Sequence, residues 1–148
     1  MKKIILLLII INCFHCIAIA QWVPIGPYGG FINNIAYSGT NLIVSTGSGY
    51  NGNSSGIFYS SNNGNNWVIA NNGLATGYDV CALIFSGDTI LAGTYGGIYI
   101  STNFGTVWVQ KWLTNHFILS IVANGNTIFA GTDDSGVYRT TNKGDNWT

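Results

Sequence analysis

Ser60-Ser61-Asn62-Asn63-Gly64-Asn65-Asn66-Trp67 recurs along the chain in two altered copies. These are Ser101-Thr102-Asn103-Phe104-Gly105-Thr106-Val107-Trp108 and Thr140-Thr141-Asn142-Lys143-Gly144-Asp145-Asn146-Trp147. The shared form is S/T-x-N-x-G-x-x-W, and the tryptophans are 41 and then 39 positions apart. Matches at four fixed positions in regular spacing mark an internal repeat of about forty residues.

The repeat extends upstream. Each octet follows a glycine and a short apolar run: Gly56-Ile57-Phe58-Tyr59, Gly97-Ile98-Tyr99-Ile100 and Gly136-Val137-Tyr138-Arg139. Before these lie runs beginning at Asn41, Thr89 and Thr127, each entered through a turn at Gly39, Gly87 or Gly125. Earlier still come Ile32 to Tyr37, Val80 to Phe85 and Ile118 to Ala123. Each unit is therefore three short strand-forming runs, with a fourth opening at the tryptophan. No sustained 3.6 period competes, and Gly or Asn-Gly interrupts the chain about every ten residues. Four strands per repeat predict an all-β fold, a β-propeller of four-stranded antiparallel blades. The expected blades are 31–70, 79–112 and 117–148.

The octet resembles the Asp-box, or bacterial neuraminidase repeat (S-x-D-x-G-x-x-W), of sialidase-like β-propellers. It is similar to the repeats of photosystem II assembly factor-like, sortilin-type and xyloglucanase propellers. That resemblance implies a structural turn between the third and fourth strands of each blade. The chemistry of the positions agrees. The Asx oxygen accepts backbone amides, Gly supplies positive φ, and Trp packs between blades, where truncation costs about 3–5 kcal/mol. The turn residues are Asn62, Gly64 and Trp67; Asn103, Gly105 and Trp108; Asn142, Gly144 and Trp147. Asn replaces Asp in all three boxes. The accepting oxygen is kept and the charge is lost, which weakens any metal-binding reading.

Composition narrows the function. Charged residues are 7% of the chain, against roughly 25% in an average domain, while 47% is hydrophobic. Glu is absent. Disordered polyelectrolytes, coiled coils and basic nucleic-acid binders all need more charge. The first twenty residues run from Lys2-Lys3 through an apolar core, Ile4 to Ile11, to Ala18-Ile19-Ala20, as a signal peptide does. Cleavage after Ala20 leaves 128 of 148 residues and three cations against five Asp, a net charge near −2. It removes the only stretch long enough to span a membrane. It also removes Cys13 and Cys16, leaving Cys81 without a disulfide partner and in a strand pattern that favours an inert thiol. The expected location is outside the cell, periplasmic or on the cell surface. No cofactor and no nucleic-acid partner is expected.

Strand alternation places the turns. In a meandering blade the turns after strands one and three share one face, which carries the octets. The links between blades and the turns after strand two share the other. That second face carries the candidate ligand residues Tyr50, Tyr78, Asp79, Tyr95, His116, Asp133 and Asp134. An aromatic and acidic rim of this kind suits a carbohydrate or a peptide. The resemblance to sialidases would require three arginines and a Tyr/Glu pair, but the chain has only Arg139 and no Glu. Two adjacent acids fall short of the 6–8 oxygens calcium takes, and no metal site is expected. Asp79 with Asp133 or Asp134 could still supply the paired carboxylates of a glycosidase, as in Asp-box xyloglucanases. The favoured reading is a non-catalytic binding or scaffold module for protein or glycan. A glycosidase, or a fragment of one, is the alternative.

The ends of the repeat leave an asymmetry. Trp22-Val23-Pro24-Ile25-Gly26 resembles the fourth strands that follow Trp67 and Trp108, so residues 22–26 read as a closing strand without a blade. About three blades are predicted, against roughly 4–8 in closed propellers. The expectation is an incomplete ring that self-associates or needs further blades.

Overall fold

The computed structural model describes residues 24–27, 30–47, 56–76 and 79–148. The leader at 1–20, Trp22, Tyr50 and Tyr78 lie outside the described residues. Within them the chain is all-β and contains no helix.

Three antiparallel sheets follow one another in sequence. The first has the order β1 (Phe31–Ser38), β2 (Asn41–Gly47), β3 (Gly56–Ser60), β4 (Val68–Ile69). The second is β5 (Val80–Ser86), β6 (Thr89–Thr94), β7 (Gly97–Ser101), β8 (Val109–Trp112). The third holds β9 (Ile118–Asn124), β10 (Thr127–Thr132) and β11 (Val137–Thr140). Beside β11, the Thr148 amide donates to the Arg139 carbonyl at 2.9 Å while the Thr148 carbonyl accepts the Arg139 amide at 2.7 Å. The three sheets form an arc that does not close.

The sheets repeat down to their irregularities. Gly39, Gly87 and Gly125 have φ of 61°, 61° and 60°, giving the tight hairpins between first and second strands a twist that matches the sheet. The register slips once in each first strand, between Ile32 and Asn34, between Val80 and Ala82, and opposite Gly131–Thr132. The bulged residues are Asn33, Cys81 and Leu119. These bulges re-aim the ends of the first strands.

Two cores fill the seams. Ile43, Ile57 and Ala70 of the first sheet pack on Leu83, Ile90, Ala92, Tyr99 and Trp108 of the second. Leu91, Ile98 and Ile100 on the second sheet's other side pack on Ile118, Ile128 and Ala130 of the third. Burying one such aliphatic side chain stabilises the fold by about 1.5–3 kcal/mol. Cross-sheet hydrogen bonds add direction: the Asn34 amide donates to the Cys81 carbonyl at 2.7 Å, and Ser45 Oγ donates to the Val80 carbonyl at 3.2 Å. The middle sheet, covered on both sides, is buried throughout β7.

Candidate functional site

The octets build three near-identical turns. The first-position hydroxyl accepts the amide of the fifth residue: Ser60 from Gly64 at 2.9 Å, Ser101 from Gly105 at 2.9 Å, and Thr140 from Gly144 at 3.2 Å. The third-position Asn oxygen accepts the amide of the seventh residue, with Asn66, Val107 and Asn146 donating at 2.9, 2.9 and 3.0 Å. It also accepts the first-position hydroxyl at 3.0, 2.8 and 2.7 Å. Each Asn oxygen is therefore saturated by the turn itself. Gly64, Gly105 and Gly144 have φ of 82°, 80° and 95°. At Gly105 space favours glycine as well, since an added Cβ would come 3.0 Å from the Ala70 Cβ, which cannot swing aside.

The tryptophans anchor their turns unequally. Trp108 Nε1 donates to the Ala70 carbonyl at 2.7 Å, and Trp67 Nε1 donates to the Ile25 carbonyl at 2.8 Å. Ala70 and Ile25 each follow a tryptophan by three positions, so the matching acceptor for Trp147 is the Lys111 carbonyl. The strand pairing explains why that bond is missing. In β8, Tyr99 pairs with Gln110 but Ile98 pairs with Trp112, so Lys111 bulges out of the register. Trp147 Nε1 is buried without a partner, and the Lys111 ammonium lies 3.8 Å from Asp145.

On the opposite face the structure brings together part of the predicted ligand set. His116 Nδ1 lies 3.4 Å from Asp134 Oδ1, joining the link before β9 to the β10–β11 turn. The His116 ring packs against Tyr138, with centroids 5.5 Å apart. The Ser135 hydroxyl donates to Asp134 Oδ1 at 2.9 Å. That bond, and then His116, holds the Asp134 carboxyl below its usual range. Asp133 joins through its backbone, its amide donating to the Phe117 carbonyl at 3.2 Å. Tyr95 from the β6–β7 turn stacks on Phe117 at 5.1 Å. It is also linked to Cys81, where burial pushes the half-buried thiol up. Asp79 borders the same corner, its carbonyl 3.8 Å from Cys81 Sγ.

Sequence reasoning places Phe117 and Ser135 in loops on this face without counting them as ligand candidates, and it reads Tyr138 only as a strand residue. The adjacency of Phe117 to His116 was the available signal. Among the described residues no group of three His, Cys, Asp or Glu could hold a metal ion. Two shallow grooves lie elsewhere. One, of about 370 Å³, runs between the first strands and is lined by Ile35, Tyr37, Phe85 and Val122 among others. The other, of about 360 Å³, lies beside Trp67, Ile25 and Phe58.

The chain matches no protein-family model and no curated protein sequence. Solved β-propeller structures resemble it. One is a GH74 enzyme from Niastella koreensis, at 21% identity over 80% of this chain and 22% of that one, with TM-score 0.61. Another is YCF48 bound to a D1 peptide, at 18% identity over 82% and 40%, with TM-score 0.66. A third is PorZ, a surface component of the type-IX secretion system of Porphyromonas gingivalis, at 13% identity over 78% and 20%, with TM-score 0.60. The chain spans about a fifth to two fifths of these proteins. It has the fold of part of a β-propeller.

Proposed function

We propose that the chain is an exported, non-catalytic propeller module that binds a protein or glycan through its link face. The observation that carries this reading is the joining of three loops at one corner. Tyr95 stacks on Phe117 while His116 pairs with Asp134. The exposed rings offer stacking surface and the carboxylates offer acceptors, the mixture that peptides and sugars both use. The octet turns are Asp-boxes in this reading, and their role is structural, because their polar groups are already used within the turn. YCF48, a protein of similar fold, was captured with a peptide, which favours a protein ligand. The leader-like residues 1–20 support export.

A panel of glycans and extracellular proteins tests this directly. Tyr95→Ala and Phe117→Ala should abolish binding of any ligand found, with the sheets left intact by circular dichroism. A ligand that binds both variants unchanged would place recognition elsewhere.

A glycosidase is the second reading, favoured by Asp79 and the Asp133-Asp134 pair around that corner and by the fold likeness to the GH74 enzyme. Release of reducing sugar from a polysaccharide, lost in Asp79→Asn, would establish it in place of the first.

A further inference from the structure

The described residues contain three Asn-Gly steps: Asn63-Gly64, Asn72-Gly73 and Asn124-Gly125. Such a step carries its own reaction, which is one reason asparagine is thermolabile. The glycine amide nitrogen attacks the asparagine side-chain carbonyl, its proton leaves with the departing ammonia, and a succinimide ring closes. Water then opens the ring at one of its two carbonyls. One opening gives aspartate; the other gives isoaspartate, whose main chain runs through the former side chain. Glycine favours the attack, because it lacks a Cβ and its backbone bends freely. The nitrogen must also be unengaged, and here the fold separates the steps.

At Asn63-Gly64 the nitrogen is taken. Gly64 is buried, and its amide donates to Ser60 Oγ at 2.9 Å. At Asn72-Gly73 both residues are exposed, and the Gly73 amide has no hydrogen-bond partner among the described residues. The step fills the centre of a turn closed by the Leu74 amide on the Asn71 carbonyl at 3.0 Å, with Gly73 at φ 89°. Packing keeps glycine there. An added Cβ on Gly73 would lie 2.2 Å from the Trp108 carbonyl oxygen, a backbone atom that cannot swing aside. Asn124-Gly125 is exposed too, but it sits at the β9–β10 hairpin with open space around Gly125.

The Asn72 step also lies where two sheets meet. The Asn72 carbonyl accepts the Trp108 amide at 2.8 Å, two residues after the Ala70 carbonyl that accepts Trp108 Nε1. Isoaspartate at position 72 inserts a methylene inside the turn that seats Gly73 on Trp108. It also turns the neutral acceptor of the Trp108 amide into a carboxylate. Aspartate, the other product, leaves the main chain as it was.

We propose that Asn72-Gly73 is a site of spontaneous deamidation by water, and that the isoaspartate formed there loosens the contact between the first and second sheets. The site is independent of what the link face binds.

Peptide mapping by mass spectrometry, after incubating the chain at mildly alkaline pH, reads the reaction at each step. In the folded chain Asn72 should convert about tenfold faster than Asn63, whose glycine amide must first give up a buried hydrogen bond. In urea the two rates should converge. Equal rates in the folded chain overturn the proposal, and so does a difference that survives in urea, because it then belongs to the local sequence. The isoaspartate form, separated from the incubated sample, should unfold at a lower urea concentration than freshly prepared Asn72→Asp, which carries the charge without the methylene. Asn72→Ser incubated in parallel should keep its midpoint. An isoaspartate form as stable as Asn72→Asp, or an equal fall in incubated Asn72→Ser, refutes the loosening.

Discussion

At the residue scale, the octet shows why a one-letter motif understates its own chemistry. The glycine at the fifth position is legible because only glycine takes that turn without cost. The structure adds that the fourth position is also left-handed, with φ of 56° at Asn63, 55° at Phe104 and 57° at Lys143. Nothing in the spacing signals this, since Asn, Phe and Lys share no side-chain property. Asn tolerates the conformation through its short polar side chain, whereas Lys is strained in it. Lys143→Asn should therefore raise stability by about 0.5–1 kcal/mol, visible as a higher urea midpoint at unchanged slope. The tryptophans give a second contrast. Trp108→Phe strands the buried Ala70 carbonyl, while Trp147→Phe removes a buried N–H that has no acceptor. The first substitution should cost about 1–2 kcal/mol more than the second in parallel denaturant melts. Equal losses would mean that the Trp108–Ala70 bond contributes nothing beyond packing.

At the element scale, strand existence and order were legible, because each β-branched run is bounded by Gly, Asn or Ser. The burial of those strands was not. VCALIFS in β5 and ILSIVAN in β9 are similar strings, yet the first is largely buried and the second largely exposed. Composition records what a strand can bury, and only its neighbours determine what it does bury. The same limit applies to the candidate site. His116, Asp134 and Tyr95 were identifiable as loop residues on one face. Their pairings depend on how a link and two hairpins meet, and that is a matter of packing between sheets. The seams themselves are tight. A Cβ on Gly93 would sit 2.6 Å from Ile118 Cγ2 and 3.1 Å from Ile118 Cβ. Ile118 is fully buried and cannot swing aside. Gly93→Ala should thus cost about 1–3 kcal/mol through overpacking of the second seam. Adding Ile118→Leu, which removes the Cγ2 branch at similar volume, to Gly93→Ala should recover part of that loss, and a double variant no more stable than the single one would refute this account.

At the scale of the whole molecule, the arc repeats one blade design, and among the described outer strands β8 departs from it through the bulge at Lys111. The consequence is mechanical. Two successive joints in the chain are latched by an indole bonded to a carbonyl, at Trp67 and at Trp108. The third joint, at Trp147, is a smooth apolar contact with only an exposed ion pair beside it, and such pairs contribute about 0–1 kcal/mol. A latch resists sliding because its bond has a direction, whereas an apolar contact resists only separation. The third blade should therefore loosen first when the protein is strained or warmed. Amides of β9 to β11 should exchange with deuterium ahead of those of β5 to β7. Straightening the register by deleting Lys111 should slow that exchange, because the latch carbonyl would then come into line with Trp147. The molecule would behave as a stiff pair of blades carrying a hinged third, its compliance set by one extra residue in a single outer strand.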